Sequence, residues 1–321
     1  MSESGFTIPV IYCPFPASSF DDRNHPEWPQ VSQEIYALIG DLDGSSSILK
    51  DAAAGVVLGD YMGRVHPDAS PQGLGLSMML TLIFFGHDDW LDQECKQGQR
   101  LSPLELNEYY DRALEVYDGA PTVPSDPLIA RLMERFGVMV RAFKRPADSI
   151  RIRVSLEGYL RAHVWELDLR NRREMPPLPE YQAMRRNIAA MLLFYDMYPL
   201  IYDLNIPIST LDHPVVRQLT LMQADYTAWC NDILSFEKEL NEDDPLNLPY
   251  ILQAERNFSL QQALDAAAEM VKKSAIDYLG LKARLPQLGI PLSGALAELF
   301  DEMERTQSHF IAYQQRAPRW K

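Results

Sequence analysis

The sequence of 321 residues predicts an all-α fold, on three observations. Apolar residues recur at three- and four-residue spacing through nine long segments, no alternating apolar–polar run competes with them, and the start and stop signals fall between the segments. Prolines 9, 14, 16, 26 and 29 make residues 1–30 an extended arm, because proline fixes φ and donates no backbone hydrogen bond. Helical spacing then runs over 46–61 and 71–96. Ser102-Pro103 opens a helix over 103–117, and Ser125-Asp126-Pro127 opens one over 126–143, since a capping side chain followed by proline suits a first turn. The pattern over 147–174 stops at Pro176, Pro177 and Pro179. Segments 180–204, 214–240, 259–285 and 293–315 complete the set. No Gly/Ser linker, low-complexity stretch or fixed-period repeat divides the chain, so 31–321 reads as a single α-helical domain, with ligands expected in a cavity between helices.

Thirty basic and 45 acidic residues give a formal net charge of −15, which argues against a nucleic-acid partner. An acidic chain takes up a polyanionic ligand only with cations to bridge the two, so metal ions are expected. The three cysteines, Cys13, Cys95 and Cys230, form no C-x-x-C pair and no disulfide framework, which points to a reducing cytoplasm. Neither a basic leader region nor an apolar stretch of about 20 residues occurs, so no membrane span is expected.

Two segments carry candidate chemistry. In Asp88-Asp89-Trp90-Leu91-Asp92, residues 88 and 92 lie about 40° apart on one helical face, while Asp89 turns about 100° away from Asp88. The apolar run 78–85 leads into them, where uncompensated charge is expensive. Read alone, the segment is equally a solvated helix end. In the second segment Asn231, Ser235 and Glu239 fall at i, i+4 and i+8, spanning about 80° of a helix face. An amide oxygen, a hydroxyl and a carboxylate are hard ligands of the kind Mg²⁺ takes alongside water and phosphate, and Lys238 stands next to the last of them. Each residue has an ordinary structural reading, Ser235 as a hydroxyl bonded back to the preceding turn among them. In register and together with the first acidic segment, they point to a metal site.

With both motifs in hand, the chain resembles the class I terpene synthases. Asp88, Asp89 and Asp92 match that family's D-D-x-x-D motif, and Asn231, Ser235, Lys238 and Glu239 match its N-D-x-x-S-x-x-K-E triad. Arg185, 46 residues before Asn231 and in an E-Y-x-x-x-R context, takes the place of the diphosphate-sensing arginine. Arg319-Trp320, 88 residues beyond Asn231 at its arginine, stands where the family has an Arg-Tyr pair; tryptophan offers an N–H in place of the hydroxyl. Ala189 or Ala190 would correspond to the small residue at an unwound point after the sensor.

The resemblance implies a class I terpenoid synthase-like helical bundle around a central cavity. It implies three Mg²⁺ ions, with Mn²⁺ as a substitute, held by Asp88, Asn231, Ser235 and Glu239, with Asp92 as a further ligand. It implies an isoprenyl diphosphate substrate bound by Arg185, Lys238, Arg319 and Trp320, and it allows a homodimer. Phe84 and Phe85, a turn before Asp88, would face the developing cation or simply pack helices. Farnesyl diphosphate is the expected substrate and geranylgeranyl diphosphate the alternative. A chain-elongating prenyl diphosphate synthase would need a second aspartate-rich motif, and the acidic cluster Glu242-Asp243-Asp244 reads as a solvated helix end. A non-catalytic helical scaffold would give no reason for Arg185, Asn231, Ser235 and Glu239 to stand in register.

Overall fold

The computed structural model describes residues 6–16, 23–40, 56–96, 101–242 and 246–316. Among the described residues there is no strand, as the spacing predicts. The helices are α1 Trp28–Gly40, α2 Val56–Val65, α3 Pro71–Lys96, α4 Pro103–Tyr117, α5 Leu128–Ala142, α6 Pro146–Arg172 and α7 Leu178–Ile188. They continue with α8 Met191–Ile201, α9 Ile208–Leu211, α10 Pro214–Glu242, α11 Leu248–Arg256, α12 Leu260–Ala283 and α13 Gly294–Arg316. None is long and apolar enough to cross a membrane. The chain divides into two compact units, one of Asp21–Asp168 and Asp196–Asn205, the other of Met1–Phe20, Leu169–Tyr195 and Ile206–Lys321.

The first unit is built on α3. Leu74, Leu76, Met79, Leu80, Leu82 and Ile83 are all inaccessible to solvent, and their positions run right round the helix, which is the pattern of a helix packed on every side. α1, α2 and α5 pack against it, and α4 pairs with α5. The expected start of α4 is present in full: the Ser102 side chain accepts from the Glu105 N–H, and the Glu105 carboxylate accepts from the Ser102 N–H. The expected start at 126 is not. Helix α5 begins at Leu128, and Asp126 instead sits in the loop before it, accepting from Arg112 Nε and Nη2, both at 2.8 Å, and from the Val123 N–H at 2.7 Å.

The second unit is built on α10, packed by α7, α11, α12 and α13. Its Leu219, Ala228, Ile233 and Phe236 are wholly buried, on opposite sides of the helix. Gln307 clasps α13 to it: its Nε2 donates to Gln223 Oε1 at 2.8 Å, and Thr227 Oγ1 donates to its Oε1 at 2.6 Å. The N-terminal arm, non-helical over its described residues 6–16, is strapped across the same helix. Phe6 packs edge-on against Phe236, Phe15 against Tyr226, and the Tyr226 hydroxyl donates to the Tyr12 carbonyl at 2.8 Å.

Three further differences from the sequence reading have physical causes. Helix α1 follows the arm unannounced, because Pro29 in its first turn is compatible with helix as well as with extended chain. The single helix expected over 180–204 is two, broken at Ala189 and Ala190, the place where the resemblance implies an unwound point; Ala190 adopts φ 58° there although it is not a glycine. The short helix α11 lies between two expected ones; at nine residues it carries too few turns for a periodic signal.

Close approach requires a glycine at position 73. A Cβ at Gly73 would stand 2.1 Å from the Ile201 carbonyl oxygen, which also accepts from the Ser70 N–H at 3.0 Å. Because the obstacle is backbone, Gly73→Ala should destabilise the protein by about 1–3 kcal/mol. Thermal unfolding that shows no lowering of Tm would contradict this contact.

Candidate active site

Helix α10 presents Asn231, Ser235 and Glu239 in the register expected of them. Ser235 is buried, and Asn231, Lys238 and Glu239 are partly exposed. The Ser235 hydroxyl donates back to the Asn231 carbonyl at 2.7 Å, the ordinary bond of a helical serine, which leaves its oxygen lone pairs uncommitted by that bond. Arg185 reaches the triad from α7. Its Nη2 donates to Asn231 Oδ1 at 2.6 Å and its Nε to Asp232 Oδ1 at 2.8 Å, so the arginine singled out by spacing touches the triad directly.

Asp232, to which the sequence reading assigned no role, is the hub. Its carboxylate is 1 % exposed and also accepts from the Tyr181 hydroxyl at 2.8 Å and from the Leu248 N–H at 3.3 Å. It thereby ties α7, α10 and the first turn of α11 together. Burial holds this carboxyl above its ordinary pKa although Arg185, Tyr181 and Leu248 all stabilise the charged form. Burial alone would lower the Arg185 pKa, but Asp232, Tyr181 and Glu239 together more than offset it and the guanidinium stays charged. Glu239 is pushed up to about 7 by burial and by the nearby Asp232 charge, against the pull of Ser235, Arg185 and Asn247. A second ion pair joins α7 to the same face of α10 two turns before Asp232, with Arg186 gripping Asp225 through both carboxylate oxygens.

In the other unit, Asp88 is exposed near the C-terminal end of α3. The residue before it is clamped. His87 Nδ1 is 2.8 Å from the Tyr159 hydroxyl and Nε2 is 2.6 Å from the Tyr110 hydroxyl, so α6 and α4 both hold the ring. Burial presses the His87 pKa well below its ordinary value, with His163 adding to the effect and Glu166 opposing it. His163 in turn bonds Glu166 through Nδ1 at 3.0 Å. Phe84 and Phe85 are partly exposed, and Phe84 packs on Tyr159 with ring centroids 4.9 Å apart. The side chains of Asp89 and Asp92, and all of Arg319 and Trp320, lie outside the described residues.

The structure therefore brings Arg185, Asn231, Ser235 and Glu239 to one place and adds Tyr181, Asp232 and Asn247. Two of those three stood in the motifs as quoted, Tyr181 in E-Y-x-x-x-R and Asp232 in N-D. Asn247 carried only the signal of an asparagine before a helix with proline in its first turn. The donor set suits a hard divalent cation: a carboxylate, an amide oxygen and a hydroxyl at one helix face, with the carboxyl held near neutrality by burial and so gaining from a positive partner.

Comparison with known proteins agrees with this geometry. The family described as terpene synthase family 2, C-terminal metal binding, matches residues 79–275, more than half of the chain. The (+)-eremophilene synthase of Sorangium cellulosum is 29% identical over 220 residues, which span 68% of this chain and 66% of that protein. The 4-epi-cubebol synthase of Streptosporangium roseum is 26% identical across 88% of this chain and 83% of that one. In fold, the crystal structure of the SVS_A2 protein from ancestral sequence reconstruction superposes with a TM-score of 0.81 at 21% identity, covering 97% of this chain and 90% of the other. The helical fold and the family match define a metal-binding all-α enzyme of the terpene synthase class. The chain belongs to terpene synthase family 2.

The hub makes a quantitative expectation. Asp232→Ala leaves Arg185 buried without its carboxylate and α11 without the acceptor of its first N–H, and breaking such a pair from one side costs about 3–5 kcal/mol. Denaturant unfolding should show that loss, and a change under 1 kcal/mol would mean that Asp232 does not organise this region.

Proposed function

We propose that this chain is a sesquiterpene cyclase that ionises and cyclises farnesyl diphosphate with release of diphosphate. The observation that carries the reading is the direct bond from Arg185 to Asn231, which sets a permanently charged, forked donor beside a hard-oxygen metal triad. The relative from Streptosporangium roseum is named for cyclising (2E,6E)-farnesyl diphosphate, which supports the fifteen-carbon choice.

Asn231, Ser235 and Glu239 are the proposed ligands of magnesium on α10, with Asp88 and Asp92 as ligands from the aspartate-rich motif and three ions in all. When bound, the divalent metal supplies the positive charge that lets a diphosphate depart. Arg185 contributes a bidentate contact to the diphosphate, Lys238 a point charge, and Arg319 with Trp320 further donors. Arg185 is held for this task by Asp232, so its guanidinium is oriented before substrate arrives and little side-chain freedom is lost on binding. Phe84 and Phe85 are proposed to face the hydrocarbon chain, where their ring faces stabilise positive charge. The free thiols of Cys13 and Cys230 accord with a reducing cytoplasm.

Incubation with magnesium and ten-, fifteen- and twenty-carbon diphosphates, followed by gas chromatography, tests the substrate. Cyclic fifteen-carbon products are expected; a preference for the twenty-carbon substrate would make the enzyme a diterpene cyclase, and longer diphosphates would make it an elongase. Asn231→Leu and Glu239→Ala should abolish turnover with helicity intact by circular dichroism, because each removes a proposed metal ligand with one hydrogen bond and no apolar core packing. Arg185→Lys should lose at least about tenfold in kcat/KM, since an ammonium cannot reproduce the fork; wild-type kinetics would take Arg185 out of the site. Phe84→Ala or Phe85→Ala should shift the product spectrum while magnesium-dependent ionisation survives.

A further inference from the structure

We propose that Asn247 is a positioning residue for the metal triad, holding the Glu239 carboxylate in the orientation in which it meets a divalent cation. The inference rests on the reading of the triad given above. Asn247 is wholly buried and is the N-cap residue of α11, a place where an asparagine side chain ordinarily accepts from a backbone N–H of the first turn. It makes no such bond. One of the two residues whose N–H such a cap would take, Pro249 at the second helical position, has none to give, and the N–H of Leu248 goes to Asp232 Oδ2.

The task of the Asn247 amide is visible in its contacts. Asn247 Nδ2 donates to Glu239 Oε2 at 2.7 Å and to the Asp232 backbone carbonyl at 2.8 Å. Both amide hydrogens are thus spent on α10, one at each end of the stretch that carries the ligands. Glutamate has three side-chain torsions to fix, and a carboxylate tied through one oxygen gives up much of that freedom before a cation binds. The amide is itself held in one orientation. Turned over, it would set Oδ1 against a carboxylate oxygen and a carbonyl oxygen, two acceptors facing an acceptor. As it stands, Oδ1 is buried with no hydrogen-bond partner, a cost the fold accepts to keep the donors on Glu239.

The decisive variant is Asn247→Asp, which keeps the volume but replaces the donors with a carboxylate facing Glu239. Three quantities are measured on the full chain: calorimetric titration of magnesium in the presence of inorganic diphosphate, the magnesium dependence of turnover, and thermal unfolding. The half-saturating magnesium concentration should rise on the order of 10–100-fold in both titrations, while KM for farnesyl diphosphate at saturating magnesium stays within about twofold. A folded variant with wild-type magnesium affinity overturns the proposal, and so does a loss of kcat at every magnesium concentration with no shift in half-saturation. If Asn247→Asp does not fold, Asn247→Ser, too short to reach Glu239, is judged by the same criterion. A wild-type chain that binds magnesium with diphosphate yet leaves farnesyl diphosphate untouched would fail the substrate reading alone, and calorimetry would still decide the role of Asn247. A wild-type chain that binds no magnesium with diphosphate would overturn the triad and this proposal together.

Discussion

A carboxylate that is 1 % exposed must be answered by its neighbours, and Asp232 governs the site through that demand. An uncompensated charge at that depth would cost several kcal/mol, so Arg185, Tyr181 and the Leu248 N–H are drawn to it from three directions. Each of these partners does something further for the enzyme. Arg185 extends from Asp232 to Asn231, Tyr181 anchors the start of α7, and Leu248 begins the helix whose N-cap residue grips Glu239. The face of α10 proposed to bind metal is consequently held at Asn231 by Arg185 and at Glu239 by Asn247. Neither interaction depends on metal being present, so the donors are arranged before a cation arrives.

The two units share a plan. Each is built about a long, deeply buried helix, α3 in one and α10 in the other, and each of those helices carries one of the two motifs. A helix packed on every side has little freedom to slide or rotate, because its side chains interlock with their surroundings at near-crystalline density. Polar clamps add registry to that packing. His87, bonded at both ring nitrogens by tyrosines of α4 and α6, fixes α3 one residue before Asp88, and Gln307 fixes α13 against α10 at Thr227 and Gln223, one and two turns before Asn231. The break between α7 and α8 belongs to the same design. Ala190 accepts a left-handed conformation that costs a residue with a Cβ about 1–2 kcal/mol, so surrounding contacts must hold it there.

Much of this was legible in the amino-acid sequence, for identifiable reasons. Helical periodicity records burial on one face, so amphipathic helices such as the one beginning at Pro103 declare themselves, and length with no alternating pattern marks the one beginning at Pro71. The triad was legible because i, i+4, i+8 spacing places Asn231, Ser235 and Glu239 on one face whatever the helix packs against. Arg185 was reached by its distance along the chain from Asn231 in a resembling family, and its bond to Asn231 gives that spacing a physical content. The helix over Trp28–Gly40 and the short helix over Leu248–Arg256 were hidden, the first by prolines that suit two conformations and the second by its length.

The sequence by itself determined the helical class, the acidic charge that calls for bridging cations, and the local register of every candidate ligand on its own helix. These properties depend on residues a few positions apart, and local geometry carries them. Only the tertiary structure decided that Asp232 is the hub and that the buried amide of Asn247 is turned toward Glu239. Those outcomes are set by which groups are buried together and which acceptors remain when they are. A buried donor or acceptor is satisfied by whatever the fold brings within hydrogen-bond reach, and that partner is a matter of distance in space, which spacing along the chain does not encode.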